Sequence, residues 1–210
     1  MEERKSVKLS TRFSRILSVL FHPVFMPVYG LMIIFFAPTF MVHLPVSMKR
    51  IIFLLAAINL TVVPLALMPL FKYRNIISSY HMDKRSEQIV PLAIGTMMYI
   101  VTTVIFYSYQ IPVMIKSFML AATVTSALIL IITFRWKISI HSVGMGALLA
   151  SVIVLSLRMR TNLIVIWVPL LLLSGLVMTV RLYLESHKPA HVYSGFLLGF
   201  LTVFIVMMVF

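Results

Sequence analysis

The feature that most limits the fold of this chain is a series of seven long apolar stretches that contain no acidic side chain. Each has about the 20 residues that an α-helix needs to cross the hydrocarbon core of a bilayer. Because lipid offers no hydrogen bonds to the backbone, such stretches favour helices. The sequence therefore predicts an all-α, polytopic membrane bundle of about seven transmembrane helices. The expected spans are residues 16–41, 51–71, 89–109, 117–134, 141–158, 163–183 and 192–210.

Charge lies mainly outside these spans. The 18 Lys and Arg residues and five Asp and Glu residues give a net charge of +13. The cations are scattered at the ends of the spans, where they contact lipid head groups, so we expect the lipid bilayer and no nucleic acid as a partner. The chain divides into a basic N-terminal arm, residues 1–15, and one transmembrane domain, residues 16–210. It contains no cysteine, which excludes thiol catalysis and thiolate metal sites.

A few residues predict local features of the bundle. Pro23 follows His22 in the first span, which predicts a kink with His22 capping the broken turn. Asn59 is expected to hydrogen-bond a neighbouring helix, and the small residues Gly144, Gly146 and Ala147 to let another backbone approach closely. Between the second and third spans, Glu87 is expected on a solvated surface.

Three polar stretches are predicted to meet at one face of the membrane, namely residues 72–88, 135–142 and 181–191. Two spans separate each stretch from the next, so all three lie on the side that holds the N-terminal arm. Thirteen of the 18 Lys and Arg residues lie on this side. The positive-inside rule then predicts that this side is cytoplasmic in a multi-pass protein of the cell membrane.

The polar stretches carry cations, a hydroxyl and imidazoles but few carboxylates. Arginine presents a fork of donors that matches phosphate oxygens, lysine adds a point charge, and the start of a helix adds backbone N–H groups. Imidazole is a nucleophile and proton carrier near neutral pH. This combination favours a phosphate-bearing ligand over a metal ion. The candidate site residues are Lys84, Arg85, Lys137, Ser139, His141, Arg181, His187 and His191.

Two of these stretches also resemble motifs of a known family. The tripeptide SIH ending at His141, with a glycine three residues on, resembles the second motif, PSGH, of the type 2 phosphatidic acid phosphatase (PAP2) superfamily. Arg181, then His187, then His191 have the spacing of its third motif, SRxxxxxHxxxD. The resemblance covers a helical core of about residues 72–210.

The resemblance implies a reaction and roles for residues. His187 matches the family's nucleophile, which attacks phosphorus to form a phosphohistidine, and His141 matches the histidine that protonates the leaving alkoxide. Arg181 and Ser139 match residues that hold phosphate oxygens. The implied protein is a lipid-phosphate phosphatase or phosphotransferase that needs no metal or cofactor. Its substrates would be phosphatidate-type, diacylglycerol-diphosphate-type or polyprenyl phosphates.

The chain departs from the family pattern in two motifs. His191 stands where the third motif has an aspartate, and it is expected to act beside the nucleophile. Gln88 and Val90 stand at positions where the first motif, KxxxxxxRP, is expected to have its arginine. Lys84 or Arg85 is expected to serve there, with Lys137 as an additional phosphate contact. An alternative function is therefore a catalytically impaired PAP2-like protein that binds or transports phosphorylated lipids.

A metal site is a further alternative. His187 and His191 lie one helical turn apart, and either His141 or His81 could complete a set of ligands for a membrane-bound oxygenase or hydrolase. Pro189 between the two histidines and the nearby cations disfavour this interpretation.

Overall fold

The structure, a computed structural model, describes residue 14 and residues 16–79, 85–184 and 188–210. It is a bundle of helices, seven of which are long and apolar enough to cross a membrane. The described part of the chain contains no β-strand. The predicted polytopic helical bundle is confirmed. The helices are α1 (Ile16–Phe36), α2 (Val46–Tyr73), α3 (Arg85–Ser108), α4 (Val113–Thr133), α5 (Ile140–Arg158), α6 (Ile164–Tyr183) and α7 (Pro189–Val209).

The first helix is broken at a proline. A 3₁₀ turn, Pro23–Phe25, separates the two halves of α1, because Pro23 has no N–H to donate to the preceding turn. The His22 side chain accepts a hydrogen bond from the Val24 N–H (3.4 Å), and the Tyr29 hydroxyl donates to the Leu20 carbonyl (2.9 Å). The predicted kink, with His22 as its cap, is confirmed.

A second irregularity lies in the middle of α2. The helix widens to a π-turn over Ile58–Val62, immediately before Pro64, which cannot donate to the Leu60 carbonyl. Within this turn the Asn59 amide donates to the Thr102 hydroxyl of α3 (3.3 Å). The predicted interhelical hydrogen bond of Asn59 is confirmed.

Besides α3, which is helical from Arg85 and not from residue 89, three helices begin several residues earlier than the sequence predicts. The starts of α2, α4 and α7 lie at Val46, Val113 and Pro189 and not at residues 51, 117 and 192. Proline immediately precedes the first residue of α2 and α4 and is itself the first residue of α7. A fixed φ and a missing N–H suit proline to the beginning of a helix.

The most buried helix, α5, packs closely against α7. A methyl group added at Gly146 would collide with the Phe196 carbonyl oxygen, and one at Gly199 with the Val143 carbonyl oxygen. Only glycine therefore permits this approach of two backbones. The predicted close approach is confirmed for Gly146, whereas a methyl group at Gly144 would meet the Met26 side chain and not a backbone.

Hydroxyl groups join α3 to α4. The hydroxyls of Thr96 and Ser126 lie 2.8 Å apart, and those of Thr103 and Thr123 lie 2.7 Å apart. Such pairs hold membrane helices together where hydrophobic attraction between them is weak. The α3–α4 pair forms one wall of a large cavity, and α5 forms another.

Candidate anion-binding cavity

A cavity of about 1000 Å³ lies between α1, α2, α3, α4 and α5. This volume is at the upper end of the roughly 300–1,000 Å³ range of ligand pockets. Gln88 near the start of α3, Lys137 before α5 and Arg181 near the end of α6 all line it. The three predicted polar stretches therefore meet at one end of the bundle. We call this end of the cavity, lined by Gln88, Lys137, His141, Arg181 and His22, its polar end.

Arg181 reaches the cavity from the last turn of α6. One of its terminal nitrogens, Nη1, donates to the Ser18 hydroxyl (3.1 Å). Its buried Nε has no hydrogen-bond partner among the described residues. A guanidinium has five N–H donors and is always charged, so a buried one beside a cavity is suited to binding an anion.

Two histidines lie beside this arginine. The rings of His22 and His141 are 5.4 Å apart and nearly perpendicular, at 85°. The Nε2 atom of His141 is 3.1 Å from the Ser18 carbonyl oxygen. Because a carbonyl oxygen only accepts, this Nε2 carries a proton, and Nδ1 is the atom of a neutral ring that can take up a second one. Ser18 thus contacts His141 through its carbonyl and Arg181 through its hydroxyl.

The sequence did not identify Ser18 and His22 as site residues. They lie four residues apart on α1, which places them on one helix face just before the break at Pro23. Their partners in the site, His141 and Arg181, lie more than a hundred residues further along the chain. A serine and a histidine at helical spacing beside a proline are a weak signal, and only tertiary packing gives them a role.

Lys137 and Ser139 take different positions. Lys137, in the α4–α5 connection, lines the cavity and is half-buried. Ser139 is fully buried and does not line it. The Ser139 hydroxyl accepts a hydrogen bond from the Ser142 hydroxyl (2.9 Å), and its backbone N–H donates to the His191 carbonyl (3.2 Å). Ser139 therefore fixes the entry of α5 against the start of α7.

The remaining predicted residues lie beside the cavity or outside the described residues. Arg85 donates to the Arg135 carbonyl (2.7 Å), which joins the start of α3 to the end of α4. The His191 ring packs edge-on against Trp136, with centroids 5.7 Å apart. Lys84 and the predicted nucleophile, His187, lie outside the described residues, as does His81.

Glu87 differs from the prediction of a solvated surface. It is buried, with 9% of its surface exposed. Its carboxylate accepts hydrogen bonds from the Ser78 backbone N–H (3.1 Å) and hydroxyl (2.9 Å). These donors replace water around the charge. The prediction was wrong because the sequence does not reveal that residue 78 folds back onto α3.

The polar end is positively charged. Lys137 and Arg181 are the charged side chains in the described lining, and two imidazoles accompany them. Within residues 14, 16–79, 85–184 and 188–210, no three His, Asp or Glu side chains are grouped closely enough to hold a metal ion. Several fixed donors around a cavity are the chemistry of an anion site.

The fold and the cavity define the general class of this protein. It is a multi-pass α-helical membrane protein with a mostly apolar cavity between its helices, one end of which carries cations and histidines. Comparisons with protein-family models, curated protein sequences and solved structures find no match for this chain.

Proposed function

We propose that this chain is a PAP2-like lipid-phosphate phosphatase or phosphotransferase. One observation carries the proposal: Lys137 and His141 from one polar stretch, and Arg181 from another, line the same end of a cavity that is otherwise mostly apolar. An amphiphile with a phosphate head group would satisfy both parts of this cavity. Its head group would meet the cations, and its hydrocarbon would contact the apolar walls.

In the proposed reaction, Arg181 and Lys137 bind the phosphate oxygens and stabilise the charge that develops on the transferring group. An imidazole nitrogen of His187 attacks phosphorus, and the bond from phosphorus to the lipid oxygen breaks. His141 supplies the proton to that oxygen. Water, or another acceptor alcohol, then attacks the phosphohistidine and returns a proton to His141. No metal ion or cofactor takes part in this scheme.

His22 has a positioning role in the proposal. Its ring packs edge-on against the His141 ring at 5.4 Å and limits the orientations that ring can adopt. A histidine that transfers protons must present one nitrogen to the leaving oxygen, so a fixed ring raises the fraction of productive encounters. The Ser18 carbonyl contributes to the same end by holding the Nε2 proton of His141.

The alternative function is binding or transport of phosphorylated lipids without turnover. Its supporting observation is that Gln88, and not an arginine, lines the polar end near the first-motif position. His191 likewise offers no negative charge to a cationic nucleophile. Both differences would weaken catalysis more than binding.

For the location of the site we propose the cytoplasmic side of a cell membrane, from the distribution of Lys and Arg. Because the chain has no cysteine, single-cysteine labelling can test this directly. In intact cells, a membrane-impermeant maleimide should label Arg160→Cys, at the opposite end, and spare Lys188→Cys. The reverse pattern would invert the proposed orientation.

The function is tested by phosphate release from a panel of lipid phosphates, measured on the purified protein in detergent with EDTA present. Release that persists in EDTA and disappears in His187→Ala would support phosphohistidine chemistry. An unchanged rate in His187→Ala would remove that residue from the mechanism. Tight binding of lipid phosphates without release would instead favour the alternative function.

A further inference from the structure

The cavity extends well beyond its cations. On α3 it is lined by residues along one side of the helix, namely Gln88, Pro91, Leu92, Ile94, Gly95 and Tyr99. At 1.5 Å per residue, the distance along α3 from the first to the last of these is about 16 Å. Half of a hydrocarbon core of roughly 30 Å is about 15 Å. The length of the cavity along α3 is therefore close to the thickness of one lipid leaflet.

Below the polar end, the described lining carries no charge. We call this part of the cavity the apolar arm; its walls include Leu60, Met68, Phe118, Ala122 and Ile129. Two of the hydroxyl side chains that line it, Thr125 and Ser126, already have partners in the protein. The Thr125 hydroxyl donates to the Ala121 carbonyl (2.7 Å), and the Ser126 hydroxyl is bonded to Thr96 (2.8 Å). A hydrocarbon chain in the arm would therefore leave neither hydroxyl without a hydrogen bond.

Gly95 lies in the middle of this arm. A methyl group added there would meet no atom within 4 Å, unlike one at Gly146 or Gly199. Close helix packing does not explain this glycine, and glycine is a poor residue for a helix interior. What it contributes is open space in the cavity wall, about two turns below Gln88.

We propose that the apolar arm holds a single hydrocarbon chain of an amphiphilic phosphate, and that Gly95 determines the chain length accepted. The inference rests on the proposed function only in placing the phosphate at Arg181 and Lys137. Because the cavity is about as long as one leaflet is thick, the arm can hold a chain of the length found in the bilayer. A larger side chain at residue 95 would close the arm and leave the polar end unchanged.

Turnover of octyl phosphate and hexadecyl phosphate provides the first test. Gly95→Phe should lower kcat/KM for the hexadecyl compound by roughly tenfold or more relative to the octyl compound. Gly175→Phe is the matched control, because a methyl group at Gly175 also meets no atom within 4 Å but that residue faces outward on α6, away from the cavity. Gly95→Ala should fold normally and change the ratio least. An unchanged ratio in Gly95→Phe, with size-exclusion profile and melting temperature as in the wild type, would overturn the role of Gly95.

Photo-crosslinking provides a second test that needs no turnover. Hexadecyl phosphate with a terminal diazirine should label α2, α3 or α4 at the apolar arm. This label should be lost in Gly95→Phe and retained in Gly175→Phe. Labelling at the arm without phosphate release would support the chain site and reject the phosphatase. Phosphate release with labelling only at the outer, lipid-facing surface would support the phosphatase and reject the chain site.

The rate of phosphate release from geranylgeranyl phosphate, measured beside that from hexadecyl phosphate, distinguishes a preference for a prenyl chain from a preference for a straight one.

Discussion

The two ends of the bundle carry the same kinds of cation but surround them differently. At the end opposite the polar end, Arg158 donates to the Met207 carbonyl (2.7 Å). Lys49 donates there to the carbonyls of Val42 (2.6 Å) and Phe35 (3.3 Å). These carbonyls lie at or just beyond the last turns of helices, which leave unpaired acceptors and attract positive charge.

At the polar end, the acceptor of Arg181 is a hydroxyl and not a carbonyl. Arg181 donates to the Ser18 hydroxyl, and its buried Nε has no partner among the described residues. The surroundings of a cation, and not its position at a helix end, therefore distinguish a structural role from a binding role. A cation surrounded by carbonyls stabilises the fold, whereas one whose donors face a cavity is available to a ligand.

The sharpest test of this comparison replaces one arginine at each end. Arg181→Gln should lower the rate of lipid-phosphate release by roughly 10³-fold, because it removes the charge that stabilises the transferring group. Arg158→Gln should change the rate less than about twofold, but lower the melting temperature, because the Met207 carbonyl loses a charged donor. Both are measured on the same detergent preparations. Equal losses of activity in the two variants would break the comparison.

Substitutions of the two histidines of the polar end should lower the rate of phosphate release by different factors. His141→Asn should lower phosphate release by roughly 10²-fold, since the leaving oxygen then lacks its proton donor. His22→Asn should cost roughly tenfold, because it removes only the support of the His141 ring. A substrate with a good leaving group, such as an aryl phosphate, needs no proton on its leaving oxygen. With such a substrate, the rate of His141→Asn should largely return to that of the wild type. Failure of this rescue would contradict the acid role of His141.

Much of the fold could be predicted from the sequence, because bilayer thickness sets the length of each apolar stretch. The starts of helices were less predictable. The second and fourth spans were expected to begin at residues 51 and 117, directly after Arg50 and Lys116, yet α2 and α4 begin earlier, after Pro45 and Pro112. One cation near a membrane surface does not determine where a helix begins, because its side chain can extend to the head groups from within the helix. A proline does, because its fixed φ and missing N–H suit the first turn.

The site was predictable only in part. Motif spacing and the count of passes indicated Lys137, His141 and Arg181, which the structure brings to one cavity. Ser18 and His22 belong to the same group of contacts but lie far from these residues in the chain. Spacing along a chain predicts which residues share a helix face, whereas contacts between distant helices depend on packing of the whole bundle.

Two lysines, one lining the cavity and one exposed, test whether a contact inside the cavity contributes to substrate binding. Lys137 is half-buried and lines the cavity, whereas Lys188, just before α7, is exposed and does not line it. Lys137→Gln should raise KM for a lipid phosphate by roughly tenfold, because it weakens a charged contact with the head group. Lys188→Gln should raise it less than about twofold, since water and salt screen an exposed charge. Equal effects of the two variants would show that general positive potential, and not a contact of Lys137, attracts the substrate.

The smallest effect is expected at the opposite end, for Lys49. This lysine bonds two carbonyls and lies over the Phe36 ring, 5.8 Å from its centroid. Lys49→Gln should cost about 1 kcal/mol of stability, a fall of about 2–4 °C in melting temperature for a chain of this size. Phosphate release should stay within about twofold of the wild type. If Lys49→Gln raised KM as much as Lys137→Gln does, substrate binding would extend to both ends of the bundle, and the contrast between carbonyl-bound and cavity-facing cations would no longer separate structural from functional residues.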